Sequence, residues 1–490
     1  MIGKLVRTER MQVAALAASV LLLHLVTNAQ YDFHRDSLYY LDSARHPAWG
    51  YVDYPPVTPT IARLSLFLFG ASVWGLRLWP SLAGSLMVVL APLIAYELGG
   101  GRAARLLATV GAATSLVLLG ANWLFQTVTF DQVVWLTCLW ILARLVRTGD
   151  RRLWLALGVM LGIGLETKYT VVALILGIVV GVLATRLRRD LATPWPWIAV
   201  GLALVIFLPN LVWQAANDWP SVQYTLNHKS AQSVDFSPIT FLSQQLALIG
   251  PVAIPVWIAG LWWLLKSSER RVLGITAAVA FVIYLFAGKS YYVGPLHPFL
   301  IAAGACALEE WTATRRRWLR PTAAVALALQ AVVLLPVVLP VLPVAAMARS
   351  PLPDARKDFA DTVGWHDLVG QVATIYDSLS PAQRKTAVIL ANNYGEAGAI
   401  NTYGPPLGLP AAVSGELSYY YWKPASLDGP VIAIGFDPTF LGTLFNTCEG
   451  RGTVTNSYGL HNEEFGAPLS LCRGARFSRD VIWERLKAFQ

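Results

Sequence analysis

The feature that most constrains this chain is a series of long apolar runs that recur from Val13 to Ala346 and then stop. A helix needs about 20 apolar residues to cross the roughly 30 Å hydrocarbon core of a bilayer. Runs near that length predict eleven spanning helices, at roughly 11–29, 79–98, 104–121, 131–147, 152–166, 168–186, 195–213, 240–265, 272–288, 293–310 and 321–347. We therefore expect a mostly α-helical, polytopic membrane protein.

Composition excludes a single soluble globule. Hydrophobic residues make up 55% of the chain and charged residues only 14%, whereas soluble proteins carry about a quarter. The net charge of +9 does not indicate a nucleic-acid partner, because Lys and Arg cluster between apolar runs and form no basic patch interleaved with aromatics.

The positive charges instead predict an orientation. They concentrate in alternate loops, beginning with Lys4, Arg7 and Arg10, and cytoplasmic loops carry the excess of Lys and Arg in membrane proteins. The N-terminus is thus predicted to be cytoplasmic and the tail extracytoplasmic, in a multi-pass protein of the inner cell membrane. We expect the first span to be retained, because it ends without a small-residue cleavage site.

Two domains are predicted, a transmembrane module at 1–349 and an extracytoplasmic α/β domain at 350–490. In the second domain, β-like runs alternate with helical stretches, as is typical of α/β structure. The β-like runs lie at 386–391 and 430–436, and the helical stretches lie near 356–379, 395–402 and 438–446.

The first outside segment, 30–78, is too long for a simple connector. Helical spacing predicts two helices on the membrane surface, at 35–46 and Val57–Phe69. Four aromatic residues are expected at headgroup level: Trp49, Tyr51, Tyr54 and Trp74. A second outside segment, 214–239, predicts a flap or a further surface helix.

The four cysteines fall into two groups. Cys138 and Cys306 lie in apolar runs, where small packing side chains are expected. Cys448 and Cys472 lie in the tail, and an oxidising outer compartment predicts a disulfide between them, with a pair of free thiols as the alternative.

Carboxylates of the first outside segment are the candidate catalytic groups. Asp36 and Tyr40 are four residues apart and share a helical face, as do His34 and Leu38. Asp53 follows in GYVDYPP, where the prolines restrict the backbone. Asp36 and Asp53 are predicted to be catalytic, with His34 and Tyr40 as further polar site residues; the alternative is that both carboxylates are solvated loop groups.

Two lysines at predicted outer span ends are candidates for binding a phosphate. Lys168 in ETKYT and Lys289 in GKSYYVGPLHP are each followed by tyrosines, so ammonium and the phenols of Tyr291 and Tyr292 could meet an anion together. The alternative for both lysines is snorkelling to the interface. Asp131, near the start of the fourth span, is another polar candidate, with a helix N-cap as its alternative.

Several other chemistries lack their motifs. The chain has no Walker A, GxSxG or HExxH sequence, and its seven histidines are dispersed. No cofactor is firmly predicted. A divalent metal at Asp53 with a distant histidine stays open, with little sequence support.

Five segments carry a resemblance to a known family: RDSLYYLDSARHPAWGYVDYPPVTP, FGASVWGLRLWPSLAG, GLETKYT, KSYYVGPLHP and NNYGEAGAINTYGPPLGLP. The chain resembles GT-C superfamily glycosyltransferases of the family 39 type, relatives of protein O-mannosyltransferases and of the aminoarabinose transferase that modifies lipid A. The resemblance implies a GT-C fold, a polyprenyl-phosphate sugar donor, and inverting transfer at the outer membrane face to an envelope acceptor that the sequence does not identify.

By the same resemblance, Asp36 takes the place of the carboxylate that acts as base. Family members often carry an acidic pair there, whereas this chain has Ser37 next, which raises the interest of Asp53. In the tail, relatives often read Ser-Gly-His-Asn where this chain reads Ser-Gly-Glu-Leu at 414–417, so the acceptor cannot be carried over.

Asn393, Tyr394 and Glu396 follow a predicted strand and begin a helix, and we assign them to acceptor binding, with ordinary helix capping as the alternative. A polytopic lipid-linked sugar flippase or transporter is the alternative function. Such a protein would more naturally show paired halves and charges near mid-membrane. This chain gathers its outer-side charge in one loop instead.

Overall fold

A computed structural model describes residues 7–232 and 237–489, so the predicted role of Lys4 and part of the 214–239 segment lie outside the described residues. Up to residue 348 the regular structure is helical. Its helices are α1 (Arg7–Thr27), α2 (Arg35–Arg45), α3 (Val57–Phe69), α4 (Val73–Glu97), α5 (Arg102–Ala113), α6 (Leu116–Ala121), α7 (Thr127–Thr148), α8 (Leu153–Leu165), α9 (Val171–Leu183), α10 (Pro194–Ala216), α11 (Pro220–Gln232), α12 (Pro238–Ile249), α13 (Ala253–Lys266), α14 (Arg271–Ala287), α15 (Leu296–Trp311), α16 (Leu319–Val338) and α17 (Val344–Ala348).

The described chain contains six helices that are long and apolar enough to cross a membrane, with α5 and α6 taken together. They are α1, α4, α5–α6, α7, α10 and α16. Two bent pairs would raise the number to eight, and α3, α8 and α14 are shorter apolar helices. The polytopic architecture is therefore present, while the count of eleven spans stays a prediction. Few residues of α10 and α16 are buried, and both helices present large exposed apolar side chains, as lipid-facing helices do.

The prediction of one continuous span at 240–265 is wrong. This stretch forms α12 and α13, which meet at 110°. The break falls at Gly250, whose φ of 81° favours glycine, and at Pro251, which has no N–H to continue a helix. The bend carries α12 to the 3-10 turn Ser290–Val293, where Gln245 Nε2 donates a hydrogen bond to the Ser290 carbonyl at 2.8 Å.

Both helices predicted in the first outside segment are present, as α2 and α3. His34 caps α2, because its Nδ1 accepts a hydrogen bond from the Asp36 N–H at 3.2 Å. On α3, the exposed side chains of Leu64, Phe67 and Leu68 form an apolar face suited to a lipid surface.

The expectation that Tyr51 and Tyr54 lie at headgroup level is wrong, since both are buried inside the protein. Tyr51 OH donates to the Ser43 carbonyl at 3.0 Å, and Tyr54 OH lies 2.7 Å from Ser43 Oγ. These bonds to α2 fold the following loop inward. Trp49 and Trp74, by contrast, are exposed.

The C-terminal part contains a five-stranded sheet with helices around it. The strands are β1 (Val388–Ala391), β2 (Ala412–Ser414), β3 (Val431–Ile434), β4 (Phe445–Thr453) and β5 (Pro468–Ala475), and the helices are α18 (Leu352–Ala355), α19 (Lys357–Ala360), α20 (Trp365–Asp377), α21 (Pro381–Arg384), α22 (Tyr394–Tyr403), α23 (Pro438–Leu444) and α24 (Arg479–Leu486). The strand order is β2-β1-β3-β5-β4. β1, β2 and β3 are parallel, whereas β5 runs antiparallel to β3 and β4. The carboxyl ends of β1, β2 and β3 therefore lie at one edge.

The two predicted β-like runs contain β1 and β3, so the α/β character of the tail is confirmed. The predicted disulfide is also present, as Cys448 of β4 bonds to Cys472 of β5. Cys138 and Cys306 are free and buried, as expected for packing side chains. The domain boundary at 349 stays a prediction.

Two glycines let α22 pack closely on α2. A Cβ atom added at Gly395 would lie 3.1 Å from Arg35 Cβ, and one at Gly398 would lie 2.7 Å from Leu38 Cβ. Both distances are shorter than ordinary carbon contacts. Glycine at these two positions thus allows α22, which follows β1 at the carboxyl edge of the sheet, to pack directly on α2, the helix that carries Asp36.

Replacing Gly398 by Ala is expected to destabilise the protein by about 1–3 kcal/mol, because the added methyl group must push α22 away from Leu38. Gly370→Ala is the matched control. Gly370 lies in α20 with nothing within 4 Å of an added Cβ, so alanine there should stabilise the helix slightly. Thermal unfolding in detergent measures both. Equal stability of the two variants would contradict the close packing.

Candidate active site

Asp36 lies where α2 meets α22. Its Oδ1 accepts a hydrogen bond from the Tyr394 hydroxyl at 2.9 Å, and about a third of its side chain is exposed. Tyr394 is held in turn by the cation of Arg35, whose guanidinium lies 4.8 Å from the ring centroid. The predicted base and one predicted acceptor residue are therefore in direct contact.

Asp53 lies close to Asp36 across a cluster of tyrosines. Its Oδ1 accepts a hydrogen bond from the Tyr39 hydroxyl at 3.0 Å. The Tyr39 ring stacks with the rings of Tyr394 and Tyr419, with centroids 5.1 and 5.7 Å away. Burial, to which the negative charge of Asp36 adds, raises the pKa of Asp53 to about 7.

This raised pKa predicts how stability depends on pH. The folded protein holds the Asp53 proton more tightly than the unfolded chain, whose carboxyl titrates near pH 4. The stability that this proton contributes is present below about pH 4 and is lost as the pH rises through about 7. Asp53→Asn removes the ionisation but keeps an oxygen for Tyr39. We expect the variant to be more stable than wild type by about 1–3 kcal/mol at pH 8, with the difference vanishing near pH 4.

Thermal unfolding between pH 4 and pH 8 measures this difference. Asp428→Asn is the matched control, since Asp428 is exposed and bonded only to nearby Ser426. A constant difference between Asp53→Asn and wild type across this range would show that Asp53 titrates normally.

Glu416 brings a third carboxylate to the same place from the end of β2. Its Oε2 accepts a hydrogen bond from the Tyr394 N–H at 2.7 Å, and its own N–H donates to Ser414 Oγ at 3.1 Å. Burial raises the pKa of Glu416 to about 7, with the charge of Asp36 acting in the same direction and Arg35 opposing it. The sequence did not single out this residue as a site residue.

Lys168 supplies a cation on the side of the site nearest the membrane helices. It lies in the turn between α8 and α9, where its Nζ donates to Thr127 Oγ1 at 3.0 Å and lies 5.3 Å from the centre of the Tyr292 ring. The ammonium is thus turned into the protein, and the snorkelling alternative does not describe it.

Tyr40 connects the cation to the carboxylates. Burial first, then the charges of Asp36 and Asp53, raise the pKa of Tyr40 far above its usual value, while a hydrogen bond with Thr127 opposes them. Thr127 is the residue that also bonds Lys168. Tyr40 therefore feels the charge of both carboxylates and shares a hydrogen-bond partner, Thr127, with the ammonium.

The turn Ser290–Val293 adds two more phenols to this side. Tyr291 and Tyr292 pack edge to face at 4.9 Å. Burial, the neighbouring Tyr292 and the charge of Asp36 raise the pKa of Tyr291. Lys289 precedes this turn, and among the described residues its ammonium forms no hydrogen bond or ion pair.

A further tyrosine of the site was not predicted. Tyr224 lies in α11, within the segment predicted as a flap or surface helix. Burial, followed by the charges of Asp53, Tyr292, Asp36 and Glu416, raises its pKa. Tyr224 also packs against the buried cluster that contains Tyr39 and Tyr54, so α11 borders the site.

Asn393 and Glu396 form a capping box at the start of α22. Asn393 Oδ1 accepts from the Glu396 N–H at 2.9 Å, and Glu396 Oε2 accepts from the N–H groups of Asn392 and Asn393 at 2.9 and 3.1 Å. The capping alternative is confirmed for both residues. Their acceptor role stays a prediction, and Tyr394 alone of the three reaches Asp36.

Asp131 lies within α7 rather than at its start, so its N-cap alternative is wrong. The helix begins at Thr127, and Asp131 Oδ2 accepts a hydrogen bond from Thr170 Oγ1 at 2.7 Å. Thr170 also receives the Tyr284 hydroxyl on its carbonyl at 2.7 Å. Through its bond to Thr170, Asp131 thus fixes the turn between α8 and α9 that carries Lys168.

His34 caps α2 and faces three carboxylates. Its ring nitrogens lie 3.9 Å from oxygens of Asp36, Asp358 and Asp361. Across residues 7–232 and 237–489, no group of three or more His, Cys, Asp or Glu side chains is arranged to hold a metal ion.

The sequence of the chain matches known proteins over part of its length. Residues 53–213 match the model of the family described as dolichyl-phosphate-mannose-protein mannosyltransferase. Over 253 residues the chain is 26% identical to the lipid A galacturonosyltransferase RgtD of Rhizobium johnstonii. That match covers 48% of this chain and 50% of the relative, so the chain spans about half the length of the curated relative it matches.

The fold matches over nearly the whole chain. Two crystal structures of ArnT from Cupriavidus metallidurans align with 94% of this chain and 97% of that protein, each with a TM-score of 0.59. The apo structure is 17% identical and the one bound to undecaprenyl phosphate 18% identical, so the likeness shows a shared fold. The motifs, the family match and this fold together confirm that the chain resembles membrane glycosyltransferases of the GT-C superfamily.

Proposed function

We propose that the protein is an inverting glycosyltransferase that moves a sugar from a polyprenyl-phosphate donor to an acceptor hydroxyl at the outer face of the cell membrane. The name of the curated relative and the undecaprenyl phosphate in one ArnT structure support a lipid-linked donor and a lipid-type acceptor. Neither identifies the sugar of this chain.

The observation that carries the proposal is that two carboxylates and an ammonium meet at Tyr40 and its partner Thr127. The charges of Asp36 and Asp53 act on the Tyr40 hydroxyl, which is hydrogen-bonded with Thr127, and Thr127 Oγ1 accepts a hydrogen bond from Lys168 Nζ beside the Tyr292 ring. Glycosyl transfer from a phosphate needs a base at the acceptor oxygen and a cation at the leaving oxygen. The site offers one of each.

In the proposed reaction, Asp36 accepts the proton of the acceptor hydroxyl as its oxygen bonds to C1 of the sugar. The bond between C1 and the phosphate oxygen breaks with its electron pair, so the lipid phosphate leaves with an additional negative charge. Lys168, with the hydroxyls of Tyr291 and Tyr292, stabilises that charge next to the buried side chain of Tyr40. Lys289 is the second cation proposed for the phosphate.

Asp53 is the alternative base. Its raised pKa of about 7 would suit proton transfer near neutral pH, whereas Asp36 is more accessible and contacts Tyr394. We assign the base to Asp36 and give Asp53 the role of an acid that keeps Tyr39 in place. Tyr394 is proposed to contact the acceptor, and the acceptor is proposed to enter the site from beneath the sheet.

The decisive experiment incubates the purified protein with polyprenyl-phosphate sugars radiolabelled in the sugar, together with membrane extract. Release of polyprenyl phosphate and transfer of label to extract lipids are expected. A flippase would move intact donor across liposome membranes without breaking the bond between sugar and phosphate. Movement without cleavage, or no consumption of any donor, would overturn the proposal.

A further inference from the structure

The part of the site that would surround the sugar presents hydrogen-bond acceptors. Each of its three carboxylates uses one oxygen in a bond to a tyrosine: Asp36 Oδ1 and Glu416 Oε2 bond to Tyr394, and Asp53 Oδ1 bonds to Tyr39. In the described structure no hydrogen bond engages the other oxygen of Glu416. While a carboxylate is ionised, its second oxygen accepts hydrogen bonds and donates none, so a ligand satisfies it by donating.

The cations near these carboxylates are already engaged. The Arg35 guanidinium forms ion pairs with Glu463 and Glu464, behind the Tyr394 ring. Lys168 bonds Thr127 and faces Tyr292, on the side proposed for the phosphate. Among the described side chains, the sugar side therefore has more negative than positive charge.

Glu416 differs from the two aspartates because the proposed reaction does not use it. Its backbone is fixed at the end of β2, since the Leu417 N–H donates to the Ala488 carbonyl at 2.9 Å and the Ala488 N–H donates to the Gly415 carbonyl at 3.0 Å. A side chain held this firmly can select among sugars without taking part in the transfer.

We propose that Glu416 makes the sugar subsite selective for a sugar that presents hydroxyl or ammonium donors, and against a uronic acid. This inference rests on the proposed function and names its substrate class. A carboxylate sugar would bring a further negative charge beside Asp36 and Glu416, in a site where burial disfavours ionised carboxyl groups, as the raised pKa of Glu416 shows. A neutral or amino sugar would instead donate to the free oxygens.

The test compares three donors built on the same polyprenyl phosphate, carrying a neutral hexose, a hexosamine with a free amine, or a hexuronic acid. Release of polyprenyl phosphate is measured with the purified full-length protein. We expect kcat/KM for the uronic acid to be at least 100-fold below that of the better of the other two. If the hexosamine donor reacts faster than the neutral hexose donor, the sugar's ammonium group donates to Glu416. If the two donors react at equal rates, sugar hydroxyl groups donate to it.

Glu416→Gln keeps an oxygen for the Tyr394 N–H but removes the charge, so it should narrow the gap between the uronic acid and the neutral hexose about 10-fold. Glu449→Gln is the matched control, because Glu449 is exposed on β4 and pairs with Arg451 and Arg473. Preference for the uronic acid by wild type would overturn the inference even if Glu416→Gln fails to fold. Consumption of no donor at all would instead overturn the proposed function.

Discussion

Asp36→Asn is expected to lower kcat for sugar transfer by about 10²–10⁴-fold, the contribution of a positioned general base. Asparagine retains an oxygen for the Tyr394 hydroxyl, so the packing of α2 on α22 should survive. KM for the donor should change little, because Asp36 is proposed to act on the acceptor proton and not on the phosphate. Initial rates of polyprenyl phosphate release at varied donor concentration separate these two quantities.

Two comparisons make this result specific. Asp428→Asn changes an exposed carboxylate bonded to Ser426 and should leave the rate unchanged. Asp53→Asn tests the alternative base. If that variant loses the activity while Asp36→Asn retains it, the proton passes to Asp53 and the assignment of the base is wrong.

Lys168→Gln is expected to lower kcat/KM by about 10²–10³-fold, since the ammonium would no longer meet the charge on the departing phosphate. Glutamine keeps a donor for Thr127 Oγ1, which limits structural change in the turn between α8 and α9. The loss should be smaller at low pH, where a leaving phosphate gains a proton from solvent. Rates with a matched series of donors at pH 6 and pH 8 measure this dependence.

Lys385→Gln serves as the control, because Lys385 is exposed near the opposite end of β1. Lys289→Gln tests the second proposed cation separately. If it lowers kcat/KM as much as Lys168→Gln does, both lysines stabilise the departing phosphate. If Lys168→Gln binds polyprenyl phosphate and turns over as wild type does, the phosphate lies elsewhere.

Local pattern was enough to predict much of this protein. Apolar runs predicted the helical bundle, because every spanning backbone must satisfy its own hydrogen bonds. Spacing within one helix placed Asp36 and Tyr40 on one face, and both line the site. Lys168 and Tyr292 were grouped only by the tyrosines that follow each lysine, yet they are in contact.

The remaining features depend on contacts between distant parts of the chain. Glu416 follows a strand of three residues, too short to show any period, and only the parallel pairing of β2 with β1 brings it to Tyr394. The burial of Tyr39 could not be predicted from the sequence of α2, because the helix that covers this face, α22, lies far away in the chain. The sequence pair Gly250-Pro251 does indicate a break in the helix, but the continuous apolar run on both sides of it favoured the prediction of a single span at 240–265.

The close seating of α22 on α2 has a consequence for how such proteins can be recombined. Half of the site, with Asp36 and Lys168, belongs to the bundle, and half, with Tyr394 and Glu416, belongs to the sheet. A chimera that grafts the sheet of a relative onto this bundle is expected to form a working site only if the relative has equally small residues at the positions of Gly395 and Gly398, which pack on Arg35 and Leu38 of α2. Substrate specificity thus depends on the interface between α2 and α22, and the residues of the bundle and of the sheet that meet there are expected to change together in evolution.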